Sequence, residues 1–122
     1  MTVCCEQRGA NQLCRPAAAE VLLGAARQHH QRQDWFLRQM LLMPDHVHAS
    51  IAPAPDTILS RLIGDWKRYA AIKAGIRWQK NFFEHRLRGD EGRAEKAADI
   101  KANPARAGLC QSGEPWPFQI EP

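Results

Sequence analysis

Two histidines one residue apart, His46 and His48, stand in the run HVHASIA (46–52), where polar and apolar residues alternate. On a strand this period of two puts His46, His48 and Ser50 on one face and Val47, Ala49 and Ile51 on the other. Two imidazoles so placed lie about 6.5 to 7 Å apart along the strand, near enough to share one divalent ion. Two solvated surface histidines would give the same pattern, and the pair alone does not separate the two readings. Other groups able to ligate or attack are scattered: Glu95 and Asp99 one turn apart in an alanine-rich stretch, Asn103 four residues further on, and the single tyrosine, Tyr69. The cysteines Cys4, Cys5, Cys14 and Cys110 include no C-x-x-C pair. A zinc site of the usual spacing therefore has little support, and a reduced cytoplasmic chain is the simpler expectation.

The elements that must carry these residues read as follows. TVCCEQ (2–7) suits a first strand, and Pro16 suits the first position of a helix running from Ala17 to about residue 30, because its missing N–H would be unbonded there anyway. DWFLRQMLLM (34–43) is apolar and aromatic enough for a buried strand, and Pro44-Asp45 supplies a turn before the histidine strand. Asp56 is the expected N-cap of a helix to about Ala74, with Leu59, Leu62, Ile63, Trp66, Tyr69 and Ala70 as its apolar stripe and Gly75 as its stop. NFFEHRLR (81–88) has strand character, and a last helix is expected over about 91–102, followed by a Pro-rich irregular tail from about residue 104. The order predicts an α+β fold: a ferredoxin-like split βαβ antiparallel sheet with helices on one side and an additional C-terminal helix.

At 122 residues, 44% apolar and 25% charged, the chain has the size and composition of one globular domain, 1–122, rather than of a disordered or fibrous protein. Its 17 Lys and Arg against 13 Asp and Glu give +4, a balance that fits a polyanion without requiring one. The opening MTVCCEQRGA has no apolar run of signal length and no stretch has membrane-span length, so a soluble chain without a membrane role is expected.

Three segments in order, MPDHVH, WQKNFFEHRLR and DIKANPARAGL, resemble the REP-associated tyrosine transposases, a branch of the HUH single-strand nucleases related to insertion-sequence transposases. The resemblance covers roughly Trp35 to Leu109. It implies a ferredoxin-like domain acting on single-stranded or hairpin DNA in transposition. In the family a histidine pair and a polar residue of the last helix hold Mg²⁺ or Mn²⁺, and a tyrosine attacks the scissile phosphate to form a covalent 5′ link. By position His46 and His48 match the ligand pair and Asn103 the family asparagine of N-P, a candidate third ligand through its amide oxygen. The tyrosine's place, four residues before Asn103, is held by Asp99. An aspartate is shorter than the phenol arm, and its attack would give a labile mixed anhydride, so cleavage and transfer are expected to be impaired.

Other readings stay open at this stage. Asp99, with Glu95, is equally an added ligand or a solvated helix residue, and Tyr69 is a core aromatic or a substitute nucleophile, with an activated water as a further route to nicking. The cations Lys67, Arg68, Lys73, Arg77, Arg86, Arg88, Lys101 and Arg106 are candidates to track a DNA backbone, and each is otherwise an ordinary surface charge. Trp78 is a candidate to stack on a base or to anchor the core. Insertion-sequence relatives act as dimers and REP-associated members as monomers, so the resemblance leaves monomer or homodimer open; the P-W-P-F tail departs from the serine-containing tail of the family, so no tail function is carried over.

Overall fold

A computed structural model describes residues 1–80 and 89–122. Its elements are β1 (Thr2–Cys4), α1 (Pro16–Gln31), β2 (Trp35–Leu42), β3 (His46–Pro53), α2 (Leu59–Ala74), α3 (Gly89–Arg106) and β4 (Gln119–Ile120). The strand expected over 81–88, with Arg86 and Arg88, lies outside the described residues.

The strands form an antiparallel sheet in the order β1-β3-β2-β4. β1 and β2, joined through α1, are separated by β3, which is the split βαβ arrangement. On the other side of β1, Cys5 bridges Trp78, Gln79 N–H donates to the Cys4 carbonyl at 2.9 Å and Glu6 N–H to the Arg77 carbonyl at 2.8 Å. The chain leaving α2 therefore extends the sheet along that edge.

The two faces are unequal. Val3, Trp35, Leu37, Met40, Leu42, Val47 and Ala49 form the main core with Leu22 of α1 and Ile63 and Trp66 of α2. Trp35 and Trp66 bury their rings and donate their indole N–H groups at 3.0 Å to the Ala26 and Leu22 carbonyls, so neither leaves a polar atom stranded. The opposite face carries a smaller cluster, Leu41, Met43 and Ile100, with Trp116 packed against it. α1 and α2 thus share one side as expected, whereas α3 docks on the other, where Gln39 Nε2 donates to the Ala97 carbonyl at 3.3 Å.

Three local expectations are corrected. α2 starts at Leu59 after an extended Ile58, because Asp56 adopts a left-handed φ of 64° in the preceding turn and does not cap the helix. Gly75 does end it, at φ 68°. The tail is more ordered than its prolines suggest: α3 runs on through Pro104 to Arg106, and β4 pairs Ile120 with Met40 and Gln119 with Leu41. Trp116 and Phe118 fasten this segment to Leu42, through the indole N–H to the Leu42 carbonyl and the Leu42 N–H to the Phe118 carbonyl, both 2.8 Å. β4 covers only the second half of β2; in the first half the register shifts between Leu37 and Gln39, and Leu37 N–H donates to His30 Nδ1 at 3.0 Å. The third correction is Tyr69. It is 45% exposed on the outer side of α2, because the buried stripe runs through Ile63, Trp66 and Ala70.

Candidate metal and DNA site

β3 alternates as its sequence requires, sending Val47 and Ala49 into the main core and His46 and His48 to the α3 side. The two rings meet edge to face with centroids 4.8 Å apart, closer than the backbone spacing because the side chains lean together. Each Nδ1 is engaged. His46 Nδ1 lies 2.7 Å from Asp45 Oδ1, and His48 Nδ1 lies 3.2 Å from the hydroxyl of Thr2, its partner across the β1–β3 ladder. The carboxylate at His46 Nδ1 requires a proton there and leaves Nε2 as that ring's ligating position, and His48 would ligate through Nε2 in the same tautomer. Asp45, which the sequence marked only as a turn residue, also accepts from Arg8 Nε at 3.0 Å and Gly9 N–H at 2.7 Å. Burial disfavours its charge, but the hydrogen bonds from Gly9, His46 and Arg8 outweigh that and hold the carboxyl well below the usual carboxylate range.

α3 supplies the third candidate ligand by a local device. Pro104 has no N–H to donate to the Ile100 carbonyl four residues back, and Asn103 Nδ2 donates there instead at 3.3 Å. That bond uses the amide nitrogen and leaves Oδ1 as the acceptor of the Asn103 amide, the type of atom a hard cation prefers. Ile100 packs against Leu41, which sits directly across from His48, so the helical turn that carries Ile100 and Asn103 lies on the histidine side of the sheet. Asp99 points elsewhere: it is exposed, and its Oδ1 lies 3.0 Å from Arg106 Nη2. Glu95 is exposed as well. Among the described residues no group of three His, Cys, Asp or Glu side chains is arranged to hold a metal ion, so Asp99 does not join the histidine pair. Tyr69 stands on the far side of the sheet and the main core from the histidines.

The fold has a solved counterpart. The chain superposes on a REP-associated tyrosine transposase bound to a REP hairpin with a TM-score of 0.83 and 23% identity, over 97% of this chain and 72% of the other. The fold is that transposase's fold. No protein family profile and no curated protein matches the sequence.

On the transposase fold the candidate DNA contacts divide by face. Lys101 and Arg106 lie on α3, the histidine side, but Lys101 Nζ is 2.8 Å from Glu121 and Arg106 is paired with Asp99. Arg68 and Lys73 are exposed on α2, across the sheet, and Arg68 stands 3.6 Å from Asp65. Arg77 is exposed where the chain runs beside β1, its N–H donating to Gln12 Oε1 at 3.2 Å. Lys67 is turned inward: Nζ donates to the Gln79 carbonyl at 2.7 Å, and burial lowers its pKa. Trp78 packs on Trp66 with ring centroids 5.5 Å apart and spends its indole N–H on the Lys67 carbonyl, a core setting for the residue considered for stacking. Arg8, beside His46, is a cation that the sequence reading missed. Among the described residues no helix is long and apolar enough to cross a membrane.

Proposed function

We propose that this chain is a DNA-binding protein of the REP-associated transposase type, taking single-stranded or hairpin DNA on the histidine face and unable to form the covalent tyrosine link. The observation that carries the reading is His46 and His48 set 4.8 Å apart beside α3, on a fold that matches a hairpin-bound transposase. His46 and His48 through Nε2, with Asn103 through Oδ1, would hold Mg²⁺ or Mn²⁺; three neutral donors make a modest site that substrate phosphate oxygens complete. A bound divalent ion offsets phosphate charge there. Asp45 and Thr2 orient the imidazoles, and the Pro104 gap orients the Asn103 amide. Asp99, in the place expected for tyrosine, gives its carboxylate to Arg106 and faces solvent. Tyr69 has the sheet between it and the site, which disfavours it as a substitute.

The test incubates the protein and an Asp99→Tyr variant with a labelled single-stranded hairpin and Mn²⁺. Both should bind the hairpin, and only the variant should yield a covalent adduct. An adduct with the unmodified protein would refute the loss of cleavage, and failure of the unmodified protein to bind hairpin DNA would refute the function. His46→Ala should weaken hairpin binding in Mn²⁺ and leave binding without the ion nearly intact.

A further inference from the structure

We propose that Asp45 is the positioning residue of the histidine site, fixing His46 with its proton on Nδ1 and its Nε2 lone pair turned away from the β2–β3 turn. The inference uses the hydrogen bonds around one carboxylate, and its functional meaning rests on the reading of His46 as an ion ligand.

The two carboxylate oxygens have separate tasks. Oδ2 takes two donors from the loop after β1, Arg8 Nε at 3.0 Å and Gly9 N–H at 2.7 Å, while Oδ1 faces His46 Nδ1 at 2.7 Å. An ionised carboxylate only accepts, so a contact this short requires the proton on Nδ1. Thr2 differs, because its hydroxyl can donate to or accept from His48 Nδ1 and therefore does not by itself choose a tautomer. The carboxylate is held on both sides. The Cys5 N–H donates to the Asp45 carbonyl at 2.8 Å, and Gln12 and Leu13 N–H groups donate to the Pro44 carbonyl at 2.9 and 3.1 Å, so the turn is tied to the loop that supplies Arg8 and Gly9. Gly9 presents its amide from a φ of 87°, where a side chain would be strained.

These bonds make Asp45→Asn a directed perturbation. Arg8 and Gly9 both donate to the Oδ2 position and keep the amide oxygen there, which turns Nδ2 toward His46. A donor facing Nδ1 demands a lone pair on Nδ1, so the imidazole proton moves to Nε2, the wrong nitrogen for ligation. Loss of such an outer hydrogen bond lowers ion affinity about 10- to 100-fold.

The experiment uses the whole chain with ¹⁵N-labelled histidine, free of metal, and reads the His46 tautomer by long-range ¹H–¹⁵N NMR, then titrates Mn²⁺. The unmodified protein should show Nδ1–H, and Asp45→Asn should show Nε2–H with Mn²⁺ affinity lower by that factor. Arg8→Gln leaves the Gly9 donor and should give a smaller loss without a tautomer change. Nε2–H in the unmodified protein overturns the proposal, as does an Asp45→Asn variant with unchanged tautomer and affinity. Should Asp45→Asn fail to fold, the unmodified protein's spectrum alone decides. A tautomer switch in a protein that binds no Mn²⁺ upholds the positioning role and refutes the ion site, which separates the two claims.

Discussion

Ile100→Ala tests how the site is assembled. Ile100 is the residue of α3 buried in the small cluster with Leu41 and Met43, and among the described residues the helix is also tied to the body by Gln39 to the Ala97 carbonyl and Lys101 to Glu121. Truncating a buried isoleucine costs about 2–5 kcal/mol, and a three-residue cluster roofed by a partly exposed Trp116 can close over the gap, so about 2 kcal/mol is expected. At about 1.4 kcal/mol per tenfold, the open state of α3 should become about 30 times more populated. The main core does not include Ile100, so the loss should stay local. Hydrogen exchange read by mass spectrometry should show peptides within 95–106 exchanging about 30-fold faster, with α1 and β3 unchanged, and Mn²⁺ affinity should fall because Asn103 rides on the same helix. Equal acceleration throughout the chain, or none in 95–106, would refute the view of α3 as a separately docked unit.

Four other outcomes follow from the geometry. Asp99→Ala breaks only an exposed pair with Arg106 and should change stability by less than about 1 kcal/mol in urea; a larger loss would give Asp99 a structural role. Pro104→Ala restores an N–H able to bond the Ile100 carbonyl, so the helix should gain stability in urea while Mn²⁺ binding weakens as the Asn103 amide is released; unchanged affinity would refute the orienting role. Because Asp45 stays ionised in the folded chain below the ordinary aspartate value of about 3.9, its stabilisation is present above that pH and drains as the pH falls through and below it. Urea midpoints of the unmodified protein and Asp45→Asn should therefore draw together as the pH falls below about 4, and parallel curves would contradict this. Burial pushes the Cys14 thiol up to about 12 and, with the Asp45 and Cys4 charges, Cys5 to about 11, so both should resist alkylation at about pH 8 until the chain unfolds, as mass mapping would show.

The histidine face was legible because β3 alternates cleanly and a period of two leaves no choice of side. α1 was legible from Pro16 and its alanines. Asp56 misled because a cap preference says nothing about the turn before it, and here that turn needs a left-handed residue. Tyr69 misled because a helical stripe two residues wide has a border, and Trp66 and Ala70 fill the buried side. β4 was hidden by its prolines, since pairing with β2 is a tertiary event. Asp45 shows the limit most clearly: its donors, Arg8 and Gly9, are 37 and 36 residues away in the chain, a distance over which spacing carries no signal.

Among the described residues no strand pairs with the first half of β2 on the side away from β3, and such edges invite a second chain to add a strand. The register shift at Arg38 breaks the repeat that an incoming strand would need to match, and His30 already occupies the Leu37 amide. A positively charged residue at the irregularity and an imidazole over the neighbouring donor together guard the protein against edge-to-edge aggregation. His30→Ala, which reopens that amide, would expose the vulnerability first.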